Sequence, residues 1–129
     1  MKGAKILLAV SAVLAVVVSL MLLFATSAFL APQGIPVDDK VALLGQAQGS
    51  ILLGVGAINL LALRTSDPAG LRAVLGGNLV THLAAIGVNV HAIAAHLVTQ
   101  QVWGDLVMHA VFAALFALFL VRVARLAPA

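Results

Sequence analysis

Four apolar stretches, each long enough to cross a bilayer, occupy nearly all of this 129-residue chain. An α-helix rises about 1.5 Å per residue, so roughly 20 apolar residues cover a hydrocarbon layer of about 30 Å. The stretches predict helices over about 4–30, 41–63, 69–98 and 103–125. In lipid every backbone N–H and C=O must find a partner inside the protein, which leaves helices as the spanning element for runs of this kind. The fold class expected is therefore all-α: an integral membrane four-helix bundle of antiparallel up-and-down topology, with residues 1–129 as a single transmembrane domain. Composition agrees. Hydrophobic residues make up 64% and charged residues 9%, with a mean hydropathy of +1.21. A soluble domain carries roughly 25% charged residues, and this chain lacks the polar groups to coat a globule.

Local signals set the boundaries. Lys2 and Lys5 precede the first run, and small residues fill Ala25–Ala31. The run exceeds the roughly 7–15 apolar residues of a signal peptide's central segment, so it is read as a retained helix. Pro32 and Gly34 end it, and Asp38 or Asp39 can cap the next helix. Arg64 closes the second helix. Asp67 followed by Pro68 is a strong helix start, with Asp67 as N-cap and the proline at the first helical position. Only Thr99–Val102 separates the third run from the fourth, which forces an antiparallel hairpin.

Basic residues give orientation. If four helices alternate, Lys2, Lys5, Arg64, Arg72, Arg122 and Arg125 fall on one side and only Lys40 on the other. The positive-inside rule then places both termini and the Arg64–Arg72 loop in the cytoplasm of a multi-pass inner-membrane protein, with Trp103 at the outer interface. The same placement explains the net charge of +3 without nucleic acid as a partner. The lipid bilayer is the first partner expected, followed by further copies of the chain or other membrane subunits. Cysteine is absent, which removes disulfides, Cys-ligated metals and Cys nucleophiles.

The third helix carries an unusual stripe. At 100° per residue, Asn78, His82, Asn89 and His96 project within about 40° of one another. Polar side chains inside a membrane face a bundle interior or a cavity, so these four form a candidate ligand site or polar seam. The opposite face holds Gly76, Ala84, Gly87 and Ala94, a small-residue surface that another helix can approach closely. The second helix has a similar stripe in Gly45, Gly49 and Gly56, flanked by Gln48 and Asn59, with Gln46 and Ser50 on another side. Amides at such positions serve either as interhelical glue or as the lining of a ligand site.

Four histidines are the main chemical candidates. His82 lies near mid-membrane, either as a neutral ring bonded to a neighbouring helix or as a proton relay, haem ligand or quinone contact. His82 and His96 are about 21 Å apart along the helix and cannot share an ion. His91 and His96 diverge too far to make a good metal pair. Asp105 and His109 share a face of the fourth helix at i, i+4. With a tight hairpin, His96, Asp105 and His109 could gather an ion, and His91 with His109 could ligate haem from two helices. Metal and cofactor identity stay open. Below them Phe112, Phe116 and Phe119 form an aromatic stripe suited to helix packing.

Gly45, Gly49 and Gly56, then Leu61-Ala62-Leu63-Arg64, a short turn, and His82 in Asn78-Leu79-Val80-Thr81-His82 resemble small bacterial four-helix membrane proteins of the DUF4345-like and DoxX-like kind. The resemblance implies a four-helix bundle in a bacterial inner membrane and carries over no catalytic residue.

Three functions follow. The first is a non-enzymatic oligomeric or accessory subunit of a membrane complex. The second is a redox or binding module holding haem, metal or quinone through histidine. The third is a proton-coupled channel or transporter built as an oligomer, with the Asn78–His82–Asn89–His96 stripe as its path. No residues are expected to be catalytic: there is no Ser/His/Asp arrangement, no phosphate loop and no paired carboxylates inside the membrane.

Overall fold

The computed structural model describes residues 1–125, and within them the chain is all-helical with no strand. The elements are α1 (Lys2–Phe24), a short α2 (Thr26–Leu30) running into a 3-10 turn (Ala31–Gln33), α3 (Asp39–Ala62), α4 (Pro68–Ala94) and α5 (Val102–Ala124). The four long helices have the length and apolar composition of membrane spans. Large side chains such as Val13, Leu44, Val88 and Val111 stand on the outer surface, where a soluble protein would place charge.

Two starts match their signals. Asp38 accepts the Val41 N–H at 2.8 Å and caps α3. Asp67 accepts from Ala69 and Gly70 ahead of Pro68. The Gly70 and Ala69 N–H groups hold its carboxyl below the ordinary value of 3.8, against an opposing contribution from desolvation, and the Arg72 charge adds a lesser pull in the same downward direction.

Two boundaries differ from the sequence reading. The first run breaks at Ala25, whose backbone (φ −142°, ψ 40°) leaves the helical region. Thr26 bonds back to the Leu22 carbonyl and sets its methyl beside Gly45. At the other site, α4 stops at Ala94, four residues before the expected Val98. His96 is the reason. It adopts φ 55°, and is the one non-glycine residue at positive φ among those described. Its N–H reaches the Ile93 carbonyl and that of Leu97 reaches Ala92, the paired bonds of a Schellman stop. Glycine or asparagine usually fills this position, although histidine is also enriched there.

The helices associate as two pairs. In the first, α1 lies on α3 in the opposite direction, with Gly45 beside Thr26, Gly49 beside Ser19 and Leu22, and Gly56 beside Ala12 and Val16. A Cβ at Gly49 would sit 3.0 Å from the Ser19 carbonyl oxygen, so glycine sets this approach. The Ser19 hydroxyl donates to the Gly49 carbonyl at 2.7 Å. In the second pair, α4 and α5 also run oppositely.

The pairs join at one end through a shared apolar core. Ala4, Leu7 and Leu8 of α1 meet Ala62 of α3, Leu71 and Leu75 of α4, and Phe116 and Val123 of α5. At the far end a loop contact joins them. Thr99 donates its N–H to Gln33 and its hydroxyl to Pro32, against Gly34 in the left-handed conformation (φ 77°).

Candidate functional site

The polar stripe of α4 divides between two neighbours. Its lower member, Asn78, turns to α3 and forms a reciprocal amide pair with Asn59. Asn78 Nδ2 donates to Asn59 Oδ1 at 2.7 Å, and Asn59 Nδ2 donates back at 3.0 Å. Asn59 Nδ2 also reaches Ser11 Oγ at 3.2 Å, so one buried knot ties α1, α3 and α4. Asn78 further donates to the Val74 carbonyl. Among the described residues no buried side-chain polar atom lacks a partner, which marks this knot as closed structural glue.

The middle of the stripe turns to α5. His82 Nδ1 and His109 Nδ1 lie 2.7 Å apart, so one nitrogen holds a proton and the other accepts it. The rings tilt by 51° at a centroid distance of 5.0 Å. His82 also stacks on Phe112 at 5.1 Å and on Phe116 at 5.5 Å, within 20° of parallel. The aromatic stripe is thus the wall against which an imidazole lies. Phe119 stands apart from that wall, near Gly3 and under the Arg122 guanidinium.

His109 continues the chain outward. Its Nε2 lies 3.6 Å from Asp105 Oδ2, beyond a hydrogen bond but within ion-pair reach. Asn89 Nδ2 donates to the same oxygen at 2.7 Å. The site therefore comprises Asn89, Asp105, His109 and His82, with Phe112 and Phe116 beneath.

The remaining candidates lie elsewhere. His91 is exposed on α4, and His109 faces His82 instead of it. His96 is exposed at the helix stop. Among the described residues no three His, Asp or Glu side chains converge on a metal-sized point, so His96, Asp105 and His109 do not gather as one cluster. On α3, Gly45, Gly49 and Gly56 are buried against α1, while Gln46, Gln48 and Ser50 are exposed. On α4 no atom comes within 4 Å of where a Cβ on Gly76, Gly77 or Gly87 would stand, so no helix of this chain packs on that face.

Sequence reasoning missed the His82–His109 pair because it placed the hairpin turn too late and matched His109 by depth to His91, which lies on the opposite face of α4 from His82. Stopping α4 at Ala94 lengthens the connection and slides deeper α4 residues opposite α5. The signal available was His96 itself, a residue tolerant of the left-handed region. Comparison of the chain with family models, curated proteins and solved structures gives no match.

Proposed function

We propose that the chain is a multi-pass protein of a bacterial inner membrane, with both termini cytoplasmic and its long helices forming one antiparallel bundle. Its role is that of a non-enzymatic oligomeric or accessory subunit. One observation carries this reading: the outer face of α4 is built for a neighbour and has none within the chain. At 100° per residue Gly76, Val80, Ala84, Gly87 and His91 share one face. The three glycines of α4 near this face, Gly76, Gly77 and Gly87, meet no other helix, and His91 is exposed among them. A polar ring and a glycine groove facing lipid are poorly matched to hydrocarbon, whereas both suit a second helix.

Replacing Gly87 with Leu tests the reading. The side chain has open space within the protomer, so folding should be unaffected while assembly in native lipid is lost. Unchanged assembly would contradict the proposal. Replacing His82 with Ala should leave assembly intact.

A second reading, a ligand-holding or proton-handling module, is favoured by the His82–His109 contact, which brings two ionisable rings from separate helices together. Stoichiometric haem, seen as an absorption band near roughly 400–420 nm, or bound metal in gently purified protein would support it. Colourless, metal-free protein would confine it to quinone, lipid or proton chemistry.

A further inference from the structure

We propose that His82 and His109 form a binding site for a single proton, loaded through Asp105 and closed on its inner side by Phe112, Phe116 and the four-helix core. This inference rests on the membrane reading above and not on the assembly reading.

The geometry fits one shared proton. At 2.7 Å, the two Nδ1 atoms stand at hydrogen-bond distance with no room for a metal ion between them. With His109 Nδ1–H donating to His82 Nδ1, His109 Nε2 is left bare and directed at Asp105. Its 3.6 Å separation from Oδ2 is beyond a hydrogen bond and within ion-pair reach once that nitrogen is protonated. A proton from water reaches His109 Nε2 by way of the Asp105 carboxylate. His109 then holds a proton on both nitrogens, and its Nδ1 proton remains shared with His82. An N–H bond forms at Nε2 as the O–H bond of the relaying Asp105 carboxyl breaks, the carboxylate is restored, and one positive charge enters the site.

Charge balance points the same way. With Asp105 ionised and both rings neutral, the cluster carries one negative charge. One proton on the histidine pair cancels it, which suits a group at the edge of a low-dielectric region. A second would leave an uncompensated positive charge. The positive ring pair has support: His82 lies over the faces of Phe112 and Phe116 within 6 Å, a distance at which aromatic faces stabilise cations. The groups facing the site are His82 and Asn89 from α4 and Asp105 and His109 from α5. Asp105–His109 is the one acid–base pair in contact among the described residues.

Access is one-sided. The Asp105 side chain is 44% exposed and that of His109 19%. Beyond His82, Phe116 is completely buried and joins Leu71, Leu75 and Leu8 in the apolar core. The buried polar groups on that side, Asn78, Asn59 and Ser11, are bonded to one another, and none of them is an acid or base that would take the proton on. The site therefore takes up and releases its proton at the Asp105 side, the extracytoplasmic side in the orientation proposed above.

The test uses the full chain in liposomes, with imidazole ¹⁵N NMR followed from about pH 8 to pH 4. The expected result is one coupled transition of His82 and His109 that takes up one proton per chain. Asp105→Asn, at a half-exposed position where folding is undisturbed, should weaken proton binding by about tenfold. In vesicles with an imposed pH difference, the transition should follow the pH on the Asp105 side. Independent titration of the two rings, an unchanged midpoint in Asp105→Asn, or a response to the opposite side would each overturn the proposal. So would a stoichiometric metal held by the two rings. Resistance of the chain to alkaline extraction tests the membrane reading separately, so the two failures can be told apart.

Discussion

The two helix pairs solve the same problem with different chemistry. Between α1 and α3 the contact is made by glycine, alanine and serine, and the polar groups there are short. Ser19 bonds a backbone carbonyl, and Ser11 joins the Asn59–Asn78 knot. Between α4 and α5 no glycine mediates contact. Histidine, aspartate, asparagine and phenylalanine do. Backbones that touch leave no room for a side chain to change state, and the first pair is a closed seam. Long ionisable side chains hold the second pair together at a greater reach, and the Asp105 side chain is only partly covered by the chain. Rigidity and chemistry are thus assigned to different halves of one small chain.

Substitutions at matched positions separate the halves. Gly49→Leu should have the largest effect, because its branch would press into the Ser19 carbonyl and the Leu22 side chain. We expect a loss of about 3 kcal/mol or outright misfolding, measured by thermal unfolding in detergent. Gly87→Leu should leave that midpoint unchanged, and a comparable loss there would erase the distinction between closed and open faces. Next comes the amide knot. Asn78→Leu strands a buried Asn59 amide and should cost about 1–3 kcal/mol. The double variant Asn59→Leu/Asn78→Leu should cost less than the sum of the two, and strict additivity would show that the reciprocal bonds contribute nothing.

His96→Gly should act in the opposite direction. It keeps the left-handed stop and removes a side chain from it, so stability should rise by up to about 1 kcal/mol without a change in the His82 and His109 signals. Movement of those signals would mean that His96 sets more than the hairpin register. The smallest effect is at Asp67. Its carboxyl is held below 3.8 by the Ala69 and Gly70 N–H groups, so its capping contribution is complete above that pH. It is lost as pH falls through the lowered folded-state value. Asp67→Asn should be indifferent to pH over this range, and equal acid sensitivity of both proteins would remove Asp67 as the cause.

Much of this was legible in the residues. Apolar run length gave the four long helices, and Asp67–Pro68 marked the start of α4. The Gly45, Gly49 and Gly56 stripe identified a packing face, and the α4 stripe placed Asn78, His82 and Asn89 on one side. What escaped was register. Periodicity places residues around a helix but is silent on where it stops. An unbroken run of Ala, His, Leu and Val continues through Ala95–Val98 with no glycine or proline to break it. The stop is made by backbone geometry at His96, and the histidine that meets His109 is His82, nine residues from His91, about two and a half turns away and on the opposite face of α4. Asn59 was similarly hidden: its partner became visible only once α3 and α4 were set side by side.

Cysteine cross-linking in native membranes tests the account most directly, since the chain has no cysteine of its own. Ala84→Cys places a thiol in the centre of the open α4 face, and Val13→Cys places one on the outer surface of α1. The account predicts efficient protein cross-linking from position 84, abolished by Gly87→Leu, and little from position 13. Equal, weak cross-linking at both positions, with the protein remaining a 13.1 kDa monomer, would contradict it.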